Sequence, residues 1–368
     1  MVICLCDCYL CLDRSLSTLY PSRPVPDIGR NVAPAGGNSA LGKTPNYADS
    51  QLTIQYQIGL EIVVVGPAGQ IYNVDDGLVL KACRVYQPAS SNDTPRAFWD
   101  YASETLFHFG LLKDEKTVFR LLIEHPHPKI IEAIDIGHPE GIHLRKYQPL
   151  SGALPSTQPD RIAWYQDIMR ALVHLHRFDI AHSDLRKDNI LSDQKGHALL
   201  GGFSASCPFG HPNPSRPVLL NGPSETIPDA TDRFAMGSLI YELETGVRPE
   251  ISVDNHGSLS LPLVHTGHDG LDPMIENAWR GKYESTADML KHTELLLNAG
   301  HDSRGPVEYK EELIGRINQW RRRRVEKHGC ILYSLPNETQ VKDLAERYGW
   351  DINEELRLHD FHAVGSSD

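Results

Sequence analysis

The rhythm of apolar positions divides the chain into segments of different kinds. Up to about residue 57 apolar residues follow no period and Pro, Gly, Ser and Asn are frequent, as in Pro21-Ser22-Arg23-Pro24-Val25-Pro26. That stretch reads as a mostly disordered leader. Leu60-Glu61-Ile62-Val63-Val64-Val65 then predicts a strand, Gly66-Pro67-Ala68-Gly69 a turn, Gln70-Ile71-Tyr72 a return strand and Leu78–Cys83 a third strand. Leu112, Val118 and Leu122 share one face of a helix over 111–123, and the preceding 87–110 fits either an insertion or an extra helix. Ile130–Ile136 and Ile142–Tyr147 predict two further strands, and Gln148–Asp160, with three prolines, a linker. Ile162, Tyr165, Ile168, Leu172 and Leu175 recur at helical spacing. A short strand pair is expected at Ile190-Leu191 and Ala198–Leu200, an irregular proline-rich loop over 203–231, an apolar helix over 232–245 and two helices within 273–298. Five strands and a helix ahead of a mainly helical second half define an α+β chain of two lobes.

From about residue 300 a tail follows. One of its helices is strongly charged and contains Arg321 to Arg324; the other has Asn337 and Gln340 placed for a capping box and Gly349 for a stop. Val341, Leu344 and Tyr348 give the last helix an apolar face too small for a core of its own, so the tail is expected to dock on the helical half.

The chain has 368 residues, 40% of them hydrophobic and 23% charged, the values of a soluble globular protein long enough for two lobes. A net charge of −12 argues against a general partner of nucleic acid or of an anionic membrane, and no apolar run is long enough to span a bilayer. Of seven cysteines, four are Cys4, Cys6, Cys8 and Cys11, and the rest are scattered. This is no disulfide framework, so a reducing compartment is expected: the cytoplasm, with the nucleus as the alternative. The cluster is either a soft-metal site or part of an unconstrained leader. The apolar Met1–Leu12 run contains Asp7 with no basic residue before it, unlike a secretory signal.

The densest chemistry lies in His182-Ser183-Asp184-Leu185-Arg186-Lys187-Asp188-Asn189, followed by Gly202-Phe203-Ser204. An aspartate and an asparagine five residues apart on a loop after a helix can serve one phosphoryl-transfer site. The aspartate accepts the proton of an attacking hydroxyl and the asparagine oxygen holds a divalent ion. Lys81, in an apolar strand, needs a charge partner to be comfortable there; Glu115-Lys116-Thr117-Val118-Phe119 resembles the protein kinase segment that carries such a partner, and Glu104 is the fallback if that helix lies earlier. Gly66-Pro67-Ala68-Gly69 by itself reads as an ordinary hairpin turn; in the place of a glycine-rich loop its glycines would let backbone N–H groups approach phosphates. His174, His176 and His182 read as packing and loop support rather than a zinc triad.

Taken in order, these segments resemble the protein kinase family over about residues 58 to 298. The catalytic loop resembles H-R-D-L-x-x-x-N, and Asp232-Arg233-Phe234-Ala235-Met236-Gly237 through Gly246-Val247-Arg248-Pro249 is similar to the helix F segment, whose aspartate caps the catalytic-loop backbone. The Ala278–Tyr283 run is similar to fungal kinase-like proteins. The resemblance implies a bilobal kinase-like fold, with a five-stranded antiparallel N-lobe sheet, helix C and a mostly helical C-lobe. It implies a leader 1–57, a kinase-like domain 58–300 (N-lobe about 58–149, C-lobe about 150–300) and a helical extension 301–368. It also implies transfer of the ATP γ-phosphoryl group to Ser/Thr hydroxyls of a protein partner. Asp184 would be the base and Lys81 the phosphate cation paired with Glu115. Arg186 would stand near the γ-phosphate, Gly66, Gly69 and Ile71 would be at the nucleotide, and Asn189 would bind Mg²⁺.

The chain departs from that pattern at three places. Ser183 replaces the arginine that meets an activation-loop phosphate, which implies no such switch. Pro223-Ser224-Glu225 is a degenerate counterpart of A-P-E. Gly202 stands where the second metal-binding carboxylate belongs; its loss would cost several kcal/mol of charge stabilisation, roughly 10²–10⁴ in rate. Asp188 is either a substitute carboxylate or a solvated loop charge. The sequence therefore supports a weak kinase, a pseudokinase that binds nucleotide as a scaffold or allosteric partner, and more remotely a small-molecule kinase. Restoring the carboxylate by Gly202→Asp is expected to raise Mg²⁺-dependent transfer.

Overall fold

A computed structural model describes residues 52–150, 154–155, 157–213, 221–254, 258–297 and 309–350. The leader through residue 51, with the Cys4–Cys11 cluster, lies outside the described residues. Residues 52–57, expected in that leader, run beside the end of the third strand, where Gln55 N donates to Val85 O at 2.7 Å.

The five predicted strands form one antiparallel sheet: β1 (Ile62–Gly66), β2 (Gly69–Asn73), β3 (Leu78–Ala82), β4 (Ala133–Asp135) and β5 (Ile142–Arg145), in spatial order β1-β2-β3-β5-β4. Register sorts the side chains. Ile71 lies opposite Lys81, and Lys81 opposite Ile142, so these three share one face; Tyr72, Leu80 and His143 share the other. Every residue of β3 is buried, which requires cover on both faces.

The inner face is covered by α1 (Pro95–Glu124), a single 30-residue helix, where the sequence allowed a break before residue 111. The Thr94 side chain caps it by accepting from Ala97 N at 3.2 Å, and Pro95 fits its first turn, where no N–H is needed. It stops just before Pro126, as the restriction on residues preceding proline favours. Leu112, Glu115, Val118, Phe119 and Leu122 form its buried stripe.

After the short strand β6 (Gln148–Pro149), α2 spans Gln158–His176 and starts inside the expected linker because Thr157 caps it. The His182–Asn189 loop lies between β7 (Ile180–Ala181) and β8 (Ile190–Ser192); β9 is Ala198–Leu200, and β10 (Cys207–Pro208) pairs back on β7. The helical half then adds α3 (Asp229–Thr245), α4 (Leu271–Trp279) and α5 (Thr286–Leu296), with Gly246 in the left-handed region at the end of α3. Among the described residues no helix is long and apolar enough to cross a membrane.

The tail departs from expectation. Its helices α6 (Lys310–His328) and α7 (Glu338–Arg347) pack on the sheet half, not on the helical half. Leu313, Ile317 and Trp320 of α6 lie against Leu78, Leu80, Ile134 and Tyr72, the apolar outer face that the strands leave uncovered. Burying each such side chain stabilises by about 1.5–3 kcal/mol. Arg316 pairs with Asp75 and Arg321 with Glu140, while Arg324 donates to the Ile58 carbonyl at 2.6 Å. The basic run is thus split between anchoring and solvent, since Arg322 and Arg323 are exposed. The capping box of α7 is formed by Asn337 and Gln340, and its Val341 and Ala345 meet Leu106 of α1.

His143 is fully buried beneath α6, edge-on to Trp320, and neither ring nitrogen has a hydrogen-bond partner. Burial pushes its pKa down to about 4, opposed by Asp135 of β4 and reinforced by His138, Arg321 of α6 and Lys116 of α1. The folded value lies below the unfolded one near 6.5. The stability that His143 contributes is therefore complete above about pH 6.5 and is lost as pH falls toward 4, on the order of 3 kcal/mol. His143→Phe is expected to flatten the decline of melting temperature across that window. Parallel declines in both proteins would refute this account of the α6 interface.

Candidate active site

Lys81 is carried by the central strand and Glu115 by the buried stripe of α1. Lys81 Nζ lies 2.7 Å from Glu115 Oε1 and 2.6 Å from Oε2, and both side chains are buried. Glu104, the alternative partner, is engaged elsewhere: it accepts from the Tyr86 hydroxyl at 3.2 Å and faces His108. Ile71 stands opposite Lys81 on β2 and packs on the main core with Tyr147 and Leu191.

A column of rings joins this pair to the catalytic loop. Phe119, one turn beyond Glu115, meets Phe203 edge-on at 5.3 Å, and Phe203 meets the His182 ring at 5.4 Å. Phe203 directly follows Gly202, so the column fixes α1, the Gly202 segment and the catalytic loop against one another.

Asp232, at the start of α3 and fully buried, holds the loop backbone. Its carboxylate accepts from His182 N at 2.7 Å and Ser183 N at 2.9 Å and contacts His176 Nε2 at 2.9 Å. Burial alone would raise its pKa; the His176 ring and the His182 contacts outweigh burial and hold the carboxyl below the usual range. Ser183 adopts a φ of 63°, in the left-handed region that side chains rarely enter, and its carbonyl accepts from Asn221 Nδ2 at 3.0 Å.

On the loop so held, Asn189 Nδ2 donates to the Asp184 carbonyl at 2.7 Å and to Asp184 Oδ2 at 3.0 Å. Burial raises the Asp184 pKa, against the lowering pull of Arg186, His182 and Asn189. Arg186, expected near a γ-phosphate, has its guanidinium 2.5 Å from Asp188 Oδ2, so Asp188 is engaged in an ion pair rather than acting as a substitute metal ligand. Lys187 is turned to Glu242 at 3.0 Å.

Gly202 has φ 78°, and a Cβ there would lie 2.2 Å from Asn189 Oδ1. The Asn189 amide thus fills the space a side chain at 202 would need. A side chain introduced by Gly202→Asp would have to move the Asn189 amide and adopt a left-handed backbone. The two glycines of the turn differ as well. A Cβ at Gly69 would lie 2.5 Å from the Ala82 carbonyl, so strand packing by itself demands glycine there; at Gly66 no contact closer than 3.9 Å arises.

His174, His176 and His182 do not converge. His174 stacks on His127, His176 serves Asp232, and His182 Nε2 contacts the Gly201 carbonyl at 2.8 Å. Among the described residues no group of three or more His, Cys, Asp or Glu could hold a metal ion. With glycine at 202 and Asn189 Nδ2 donating to Asp184, the described residues do not present the carboxylate and amide pair that the resemblance implies for magnesium. Phe119 stands one helical turn beyond Glu115, a spacing visible in the sequence.

The antiparallel sheet, the buried Lys81–Glu115 pair and the Asp184 loop are arranged as the protein kinase resemblance implies. No family model matches the chain. It is 36% identical over 93 residues to Protein kinase 2 of Dictyostelium discoideum, covering 23% of this chain and 19% of that protein. It is 25% identical over 190 residues to Serine/threonine-protein kinase PrkC of Bacillus subtilis, covering 45% and 28%. It is 28% identical over 211 residues to Serine/threonine-protein kinase OXI1 of Arabidopsis thaliana, covering 53% and 47%. Over these partial spans the chain is similar to proteins named as protein kinases. Its matched part spans under half the length of each of these relatives.

Proposed function

We propose that the chain is a bilobal kinase-like phosphotransferase that takes ATP between the sheet and the helical half, with α1 as helix C. The buried Lys81–Glu115 pair, joined through Phe119, Phe203 and His182 to the Asp184 loop, carries this reading. A buried lysine held by one carboxylate retains donors for phosphate oxygens. Gly66, Gly69 and Ile71 line the nucleotide side, and Asp184 takes the proton of a protein Ser/Thr hydroxyl. The hydroxyl oxygen bonds to the γ-phosphorus as the β–γ bridging bond breaks and ADP leaves. The metal-binding complement is incomplete, so transfer is slow; no step is assigned to a metal, and Asn189 acts first as the partner of Asp184. A protein substrate is the proposed partner, and a reducing compartment, cytoplasmic or nuclear, the proposed location.

A second reading, a nucleotide-binding pseudokinase, is favoured by Gly202 together with the placement of Asn189. The two readings separate in one assay of phosphoryl transfer from ATP to a mixed Ser/Thr protein substrate. Wild type is expected to transfer slowly, Asp184→Asn at least ~100-fold more slowly. Gly202→Asp should gain little Mg²⁺ dependence, because its side chain displaces Asn189 from Asp184. Equal rates for wild type and Asp184→Asn would remove the enzyme reading. A large Mg²⁺-dependent gain in Gly202→Asp would overturn the assignment of Asn189.

A further inference from the structure

Arg84 lies just beyond β3, two residues after its last residue, and points back to the β1–β2 turn. Its Nε and Nη2 both donate to the Gly66 carbonyl, at 3.0 and 2.7 Å. On its other side it lies beside the Tyr86 hydroxyl and Glu104 of α1, and Tyr86 bonds Glu104 at 3.2 Å. One guanidinium therefore connects the glycine turn to the helix that carries Glu115.

Two further features stiffen that turn. Pro67 fixes its own φ and removes an N–H, so Ala68 and Gly69 are the remaining amides at its tip. Gly69 is fixed by its close approach to Ala82. A two-residue turn with Pro67 at one end and a bidentate, charge-assisted bond on its first carbonyl has little freedom left. Holding the Gly66 carbonyl toward Arg84 sets the peptide planes from which the later amides project.

We propose that Arg84 is a positioning residue, which fixes the Gly66–Gly69 turn relative to α1 so that its amides meet the phosphates of a bound adenine nucleotide. The inference rests on the nucleotide reading above. It assigns the energy of phosphate recognition to a rigid turn rather than to a flexible flap that closes on the ligand, so the ordering cost is met on folding rather than on binding.

The test compares wild type, Arg84→Met, which keeps the apolar stem, and Arg84→Lys, which restores the charge without the fork. Amide hydrogen exchange of 62–73 is followed in the protein without nucleotide, and affinities for ATP, ADP and adenosine are measured by calorimetry. Arg84→Met should speed exchange at the turn and weaken ATP and ADP about tenfold, the scale of one lost charge-assisted hydrogen bond, while adenosine changes less than about twofold. Arg84→Lys should recover part of both effects. Unchanged exchange at the turn overturns the staple whatever the nucleotide results. Equal weakening of adenosine and ATP reduces Arg84 to a general structural role. Fast exchange in Arg84→Met, with no binding of any of the three ligands to wild type, overturns the nucleotide reading and with it the positioning role, but leaves the staple itself standing.

Discussion

Lys81→Met should bind ATP at least ~100-fold more weakly than wild type, because it removes the buried cation that we propose meets the phosphates. The same substitution leaves Glu115 buried without its partner. Breaking a buried ion pair from one side costs about 3–5 kcal/mol, because the remaining charge is uncompensated. Loss of binding through unfolding must therefore be separated from loss of the contact. Lys81→Met combined with Glu115→Gln removes both charges, should recover much of the stability, and should still fail to bind. Calorimetric titration and thermal melts on the two variants give both numbers. Unchanged ATP affinity in the folded double variant would remove Lys81 from the site.

The second large effect is on stability. In Asp232→Ala, His182 N and Ser183 N lose their shared acceptor and His176 loses its partner, all in buried surroundings. Each buried group left unpaired costs about 1–3 kcal/mol, so roughly 3–5 kcal/mol is expected in total. For a chain of this size that lowers the melting temperature by about 5 °C. Because the folded pKa of Asp232 is depressed, its stabilisation is present above the unfolded value near 4 and is lost as pH falls below it. Asp232→Asn keeps one acceptor oxygen and should fall between wild type and alanine. A melting temperature within a degree or two of wild type for Asp232→Ala would show that the catalytic loop holds its shape without this anchor.

Much of this site was legible because its parts lie in short, ordered stretches. Lys81 announced itself as a lone charge in an apolar strand, and Asp184, Asn189 and Asp232 as a loop and the helix start that holds it. The full length of α1 was hidden because Pro88, Ser90, Ser91 and Asn92, the loop before it, run directly into Thr94 and Pro95, which form its cap. The docking face of the tail could not be read from the tail, whose apolar stripe fits any apolar surface. The missing half of that argument lay in β3, where Leu78, Leu80 and Ala82 alternate with Val79 and Lys81 and require a second covering layer. Gly202 shows the limit most clearly. Sequence reports the missing carboxylate, and only the structure shows the Asn189 amide filling its space.

The central claim is that the nucleotide cation and the aspartate loop are assembled while the metal-binding complement is incomplete. ATP affinity of wild type, titrated by calorimetry in Mg²⁺ and again in EDTA, tests it most directly. The account predicts measurable binding in both, differing by less than about threefold, since Lys81 rather than a metal holds the phosphates. Binding that appears only with Mg²⁺, or an absence of binding under both conditions, would contradict it.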